Sequence, residues 1–120
     1  MNTSTQGALA EEQAARYLSN KGHRILARNF HTTGGEIDIV SSYKKVLVFV
    51  EVKQRASNAF GGPMMAVTPT KQKRITHAAL QFIKINKNMA YDEIRFDVIC
   101  ILPTGIEHIE NAFVPLRTTL

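Results

Sequence analysis

The stretch Gly35-Glu36-Ile37-Asp38-Ile39-Val40-Ser41-Ser42-Tyr43-Lys44-Lys45-Val46-Leu47-Val48-Phe49-Val50-Glu51-Val52-Lys53 reads as two apolar strands joined by a polar turn. In the first strand Ile37 and Ile39 alternate with Glu36, Asp38 and Val40, which places Glu36 and Asp38 on one face. The second opens apolar on both alternations, with Val46, Val48, Val50 and Val52 on one side and Leu47 and Phe49 on the other. That is the pattern of a central strand covered on both faces. Glu51 and Lys53 continue the Leu47 and Phe49 face, their Cα atoms about 6.7 Å apart, and the turn brings Asp38 opposite them. An isolated carboxylate is costly to remove from water, so Asp38, Glu51 and Lys53 must be compensated by one another or by a bound cation.

The elements on either side complete an α/β pattern. Between Ser4 and Lys21, Ala10, Ala14, Tyr17 and Leu18 recur at helical spacing, and Gly22 supplies a stop. His23 to Phe30 reads as a strand, and Thr33-Gly34-Gly35 turns the chain into Glu36 to Ser42. After Val46 to Lys53, the aperiodic stretch Arg55 to Val67 is longer than an ordinary connection, and it reads equally as a plain surface loop or as a substrate-contacting one. Thr68-Pro69 offers an N-cap and a proline at the first helical position, and Ile75, Ala78, Ala79, Phe82 and Ile83 form the apolar stripe of a second helix. Ile94 to Leu102 turns Ile94, Phe96, Val98, Cys100 and Leu102 inward, Pro103-Thr104-Gly105 reverses the chain, and Ile106 to Val114 predicts a last strand. Helix, three strands, helix and two strands predict a mixed central sheet flanked by helices. The first three strands form an antiparallel meander, and the second helix carries a crossover to a parallel partner.

With 120 residues the chain, 1–120, is one domain, large enough to bury roughly 65% of its unfolded surface. Fifteen Lys and Arg against ten Asp and Glu give a net charge of +5 and a pI of about 9.6, which favours an anionic partner, nucleic acid being the commonest. The single Cys100 excludes an internal disulfide and a multi-cysteine zinc site, and its apolar strand marks it as inert core. Met1 to Gly22 lacks a basic start followed by an apolar stretch, and the runs Val46 to Val50 and Val98 to Leu102 are too short to span a bilayer. The expectation is a soluble, cytoplasmic protein without a membrane partner.

Two carboxylates and an amine on one sheet face make an oxygen-rich site for a hard cation, Mg²⁺ or Mn²⁺, with positions left for water and phosphate oxygens. Such a cation acidifies water and neutralises charge on a scissile phosphate, while Lys53 orients the water or stabilises developing negative charge. Phosphodiester hydrolysis is the chemistry this suits. Lys71, Lys73 and Arg74 crowd the first turns of the second helix, where the macrodipole disfavours cations. Two readings stand: a bound phosphate resolves the conflict, or the basic face is solvated. Glu36 either supports the site from behind or faces solvent, and Arg95 with Asp97 reads as a structural pair. His23, His31, His77 and His108 have no ligand spacing.

At these residues the sequence resembles the PD-(D/E)XK nuclease superfamily: Asp38 as the first acid, twelve intervening residues, then Glu51-Val52-Lys53. Gly35-Glu36-Ile37-Asp38, Phe49-Val50-Glu51-Val52-Lys53 with Arg55, and Arg95-Phe96-Asp97 further resemble signatures of the small bacterial YraN-like family of endonuclease-type proteins. With Glu11 and Lys71 the resemblance runs from about Gly7 to Val98. It implies a restriction-endonuclease-like core, Asp38 and Glu51 as metal ligands, Lys53 as the catalytic lysine and the Val52 carbonyl as a further ligand. Glu11 matches the additional metal ligand on the first helix in the Holliday-junction-resolvase branch. Ile37 stands where the superfamily name has proline, a change that many members share.

The leading expectation is therefore a metal-dependent endonuclease acting on DNA rather than RNA, possible targets including branched or distorted DNA. Asp38, Glu51, Val52 and Glu11 are its candidate metal ligands, and Arg55, Lys71, Lys73 and Arg74 its nucleic-acid contacts. Symmetric cleavage of two strands needs two sites, which makes a homodimer a natural partner state. The alternative is a catalytically silent nucleic-acid-binding protein with the same fold. A third reading, an assembly component with an incidental acidic cluster, predicts neither metal nor DNA binding.

Overall fold

A computed structural model describes residues 3–56 and 67–114. Its elements are α1 (Thr3–Asn20), β1 (Arg24–Thr32), β2 (Gly35–Tyr43), β3 (Val46–Gln54), α2 (Pro69–Ile85), β4 (Glu93–Leu102) and β5 (Gly105–Ile109). The five strands form one mixed sheet in sequence order. β1, β2 and β3 are an antiparallel meander, β3 and β4 are parallel, and β5 returns antiparallel on β4. The parallel step exists because α2 carries the chain back along the sheet, as a crossover between parallel strands requires.

Each face of the sheet is covered by one helix. Ala10, Ala14, Ala15 and Leu18 of α1 pack on Ile39, Val48, Val50, Ile99 and Ile101. Ile75, Ala78, Ala79 and Phe82 of α2 pack on Ile37, Val40, Leu47, Phe49, Phe96 and Val98. Two covered faces explain why β3 is apolar on both alternations at its start. Phe82 meets Phe30 and Phe49 edge-on at centroid distances of 5.3 and 6.0 Å, a geometry that adds to the area these rings bury. The α2 start follows its sequence signature: Thr68 caps the helix by accepting the Lys71 N–H at 3.2 Å, and Pro69 stands at the first position. α1 ends where Gly22 takes φ +100°, a conformation glycine adopts without penalty, so that the His23 N–H reaches the Leu18 carbonyl at 3.0 Å.

Three expectations are corrected. Ile37 and Ile39 do not share a face: Ile37 belongs to the α2 side and Ile39 to the α1 side. The paired register of β2 with β3 runs from Tyr43–Val46 to Ile39–Val50 and stops there, which frees β2 from strict alternation at Asp38. β4 is not one-sided either, because Ile99 and Ile101 are buried against α1 while Phe96 and Val98 are buried against α2. The last strand closes at Ile109 rather than Val114, the chain turning away where the Ala112 N–H bonds to the Phe96 carbonyl at 2.7 Å. Most of the long connection after Arg55, residues 57–66, and the end of the tail, residues 115–120, lie outside the described residues. Among the described residues no helix is long and apolar enough to cross a membrane.

Gly35 lets β2 approach α2. A Cβ there would collide with the Arg74 carbonyl and lie 2.7 Å from the Arg74 carbonyl carbon, helix backbone that cannot swing aside. Gly34 would meet only the ring of exposed His77, which can move. Gly35→Ala is expected to destabilise the fold by about 1–3 kcal/mol, as overpacking does, whereas Gly34→Ala costs far less. Urea denaturation of the two variants checks this, and equal midpoints would contradict it.

Candidate active site

Asp38, Glu51 and Lys53 do converge, at the point where β2 parts from β3 and at the carboxyl end of the parallel strand pair. In open α/β sheets that end is where ligands bind. Asp38 holds its place through its side chain: Oδ2 accepts the Val52 N–H at 2.7 Å, replacing the ladder bond that the opening of β2 removes. Glu51 is 8% exposed although it is charged, and its Oε2 lies 3.8 Å from Lys53 Nζ and 3.0 Å from Lys71 Nζ. Lys71 comes from the first turn of α2, so the loop-and-helix crossover delivers it to a strand residue twenty positions earlier.

The electrostatics follow from this packing. Burial pushes the Asp38 carboxyl up, and its hydrogen bond to Glu51 and the charge of Glu51 carry it to about 9, with Glu11 adding in the same direction. Glu51 moves the other way: burial pushes it up, but the Asp38 hydrogen bond and the ammonium groups of Lys53 and Lys71 outweigh burial and hold it below the ordinary carboxylate range. The two carboxyls are thus driven in opposite directions, as closely spaced acids are. Burial lowers Lys53 to about 8, helped by Lys71 beside it and opposed by Glu51. Lys71 is raised, since Lys53 and Glu51 outweigh the effect of burial.

Two oxygens in this region are buried without an aligned hydrogen-bond donor, Glu11 Oε1 and Glu51 Oε2. For Glu51 Oε2 the Lys71 ammonium is close enough for an ion pair but does not make a directed bond. Buried acceptors in that condition, beside a carboxyl pair, are a donor set that suits a hard divalent cation. Among the described residues no group of three or more His, Cys, Asp or Glu is gathered closely enough to cage a metal ion. Mg²⁺ does not need such a cage, because it is usually held by one or two carboxylates, with water and phosphate filling the remaining positions.

The other sequence candidates fall around this pair. Glu36 is exposed and pairs with His31 at 3.2 Å. It lines a groove of about 330 Å³ with Thr68, Thr70, Lys71, Arg74 and Ile75. Lys73 and Arg74 are exposed on α2, and Arg55 is exposed just beyond β3, donating to the Gln54 carbonyl at 2.9 Å. A second groove, of about 700 Å³ between α1 and Ile106 of β5, is lined by neither Asp38 nor Glu51, and its Glu12 and Arg16 pair with each other at 3.4 Å on the surface.

A second buried polar cluster lies among β4, β5 and α1. Asp97 is 1% exposed and accepts four bonds: from Arg95 Nε at 2.8 Å and Nη2 at 2.9 Å, from His108 Nε2 at 2.8 Å and from the Asn111 N–H at 3.0 Å. With that proton on Nε2, His108 Nδ1 accepts the Tyr17 hydroxyl of α1 at 3.1 Å. The Arg95–Asp97 pair is structural, as its sequence pattern suggests. His108 and Tyr17 lack any local signal, although an acid in an apolar strand, the same sign that marks Asp38, pointed to Asp97.

A protein-family model described as Uncharacterised protein family UPF0102 matches residues 10–101. A UPF0102 protein of Lachnoclostridium phytofermentans is 44% identical over 113 residues, which cover 94% of this chain and 96% of that protein. One of Syntrophomonas wolfei is 47% identical over 111 residues, covering 89% and 96%, and one of Trichlorobacter lovleyi is 49% identical over 115 residues, covering 89% and 88%. This is the family that the YraN-like motifs resemble. Because the matched stretch runs from α1 to β4 and takes in Glu11, Asp38, Glu51, Lys53 and Lys71, the chain that carries this site belongs to the UPF0102 family.

Proposed function

We propose that the protein is a metal-dependent endonuclease of the PD-(D/E)XK kind that hydrolyses phosphodiester bonds in DNA, branched or distorted DNA being the first substrate to try. The observation that carries this reading is the buried Glu51 carboxylate, with Lys71 Nζ at 3.0 Å and Lys53 Nζ at 3.8 Å from its Oε2, beside the half-buried Asp38 that the Val52 N–H holds at 2.7 Å. Asp38, Glu51 and the Val52 carbonyl are the oxygens that would hold Mg²⁺ or Mn²⁺, with Glu11, whose charge acts on Asp38 but which is not gathered with the pair into a three-carboxylate cage, as the additional ligand that the family resemblance implies. When bound, such an ion supplies Lewis-acid neutralisation of the scissile phosphate and acidifies water. Asp38, pushed up to about 9, would have to be deprotonated to hold such an ion, so affinity for the ion is expected to rise with pH below about 9. Lys53, 12% exposed in its side chain and fixed on β3, is placed to donate to the phosphate oxygen or the attacking water. Arg55, whose charge acts on Lys53, and Arg74, which lines the groove beside Lys71, add positive charge near the pair, exposed Lys73 adds to the basic face of α2, and the +5 net charge favours a polyanion over other substrates.

Branched, nicked and single-stranded DNA incubated with the purified protein and Mg²⁺ or Mn²⁺ tests the proposal. Cleavage is expected, and Lys53→Met is expected to slow it by roughly 10²–10³, the usual cost of one donor to a developing charge. Absence of cleavage on every substrate overturns it. Retardation of DNA that weakens steeply with salt but leaves the strands intact identifies a binding protein instead.

A further inference from the structure

Lys71 occupies a position that this reading does not by itself explain. Its ammonium lies 3.0 Å from Glu51 Oε2, on a carboxylate that a divalent cation needs. Two features of its surroundings disfavour the charge: partial burial, and its place at the first turn of α2 beside the positive end of the macrodipole. Glu51 is therefore what holds the ammonium in place. The two lysines also differ in freedom, since the Lys71 side chain is 40% exposed and the Lys53 side chain 12%. Lys71 can swing out along a solvated path, whereas Lys53 is fixed within the packed strand. The groove it would swing into is lined by Thr68, Thr70 and Arg74.

We infer that Lys71 is the resident counter-cation of Glu51, which a divalent ion must displace, and that a DNA phosphate takes up the displaced ammonium, so that metal loading is coupled to substrate binding. The inference rests on the metal-site reading above. Without DNA, the incoming ion leaves Lys71 facing two other positive charges, which opposes loading. With a phosphate in the groove the same ammonium gains a partner, and loading becomes easier. Linkage makes the effect reciprocal, because the ion must then strengthen DNA binding by the same factor that DNA strengthens ion binding. Lys71 thus acts as a positioning and discriminating residue, biasing the site toward loading only when a phosphate backbone is present.

The test is calorimetric titration of Mn²⁺ into the full chain, alone and with a short phosphorothioate-backbone DNA duplex, after subtracting the Mn²⁺ that the duplex binds by itself. For the wild type, the duplex is expected to tighten Mn²⁺ binding roughly tenfold, within the usual range of coupling between sites. Lys71→Met is expected to bind Mn²⁺ roughly tenfold more tightly than wild type without duplex and to gain little from its addition. Lys71→Arg, which keeps the charge, is expected to keep the coupling. Equal Mn²⁺ affinity of Lys71→Met and wild type without duplex overturns the inference while leaving the metal site standing. No Mn²⁺ binding by any of the proteins overturns the metal-site reading and the inference with it.

Discussion

Asp38→Asn is expected to melt several degrees higher than the wild-type protein near neutral pH and to cut no DNA. The folded state holds a proton on Asp38 up to about pH 9, whereas the unfolded chain loses it near 3.8. Because the fold binds more protons than the unfolded chain between those values, Asp38 makes stability fall as pH rises from about 4 to about 9. Asparagine removes that titration and keeps the shape: its carbonyl can accept the Val52 N–H as Oδ2 does, and its amide can donate toward Glu51 as a protonated Asp38 would. A gain of about 1–3 kcal/mol is expected at pH 7–8, shrinking toward pH 4. The same change removes an anionic oxygen that a cation requires, so cleavage falls by three orders of magnitude or more, roughly the loss of charge stabilisation at a reacting phosphate. Melting curves at several pH values, beside cleavage assays, check both halves. A variant that melts no higher than wild type at pH 8 shows that the two carboxyls are not in conflict, and one that still cuts removes Asp38 from the chemistry.

Asp97→Ala is expected to be the most damaging single substitution for the fold. It deletes the acceptor of four bonds, strands the His108 imidazole, whose side chain is only 4% exposed, and leaves the half-buried Arg95 guanidinium with Glu110 at 3.6 Å in place of its two bonds to Asp97. Removing one side of a buried ion pair costs about 3–5 kcal/mol, a large share of the 5–15 kcal/mol that typically separates folded from unfolded chains. The network also ties elements together: Asp97 on β4, His108 on β5 and, through His108, Tyr17 on α1. The pH dependence has the opposite sign to that of Asp38. Burial pushes the Asp97 carboxyl up, but His108, Arg95 and the Asn111 N–H outweigh it and hold the acid below its ordinary 3.8. Its contribution is present above 3.8 and is lost as pH falls through the lower folded value. Urea denaturation of wild type and variant at pH 7 measures the loss, and a difference under about 1 kcal/mol, the range of an ordinary substitution, would show that the cluster is dispensable.

Together the two substitutions separate the acids that this sheet buries. Asp97 is neutralised by cations already in the fold, so it stabilises. Asp38 and Glu51 are only partly neutralised by Lys53 and Lys71, so they store an unfavourable interaction that a bound cation would relieve. Strain of this kind concentrates at functional sites, where local consistency is given up for chemistry.

Much of this was legible along the chain. Helical apolar spacing marked both helices, apolar runs and turn residues marked the strands even where alternation misassigned faces in β2 and β4, the Thr68-Pro69 pair marked the start of α2, and charges inside apolar strands marked Asp38, Glu51 and Lys53, because a short-range pattern and the cost of burying charge are both properties of sequence. Tertiary structure alone decided the rest. That Ile37 and Ile39 face opposite helices depends on where the β2–β3 ladder ends; that β4 is buried on both sides depends on α1 packing behind it. The meeting of Lys71 with Glu51, and of His108 with Asp97 and Tyr17, joins residues separated by twenty positions, by a strand turn or by most of the chain. Periodicity says which side of an element is apolar, but only the packed fold determines which distant side chains are left together where water cannot screen them.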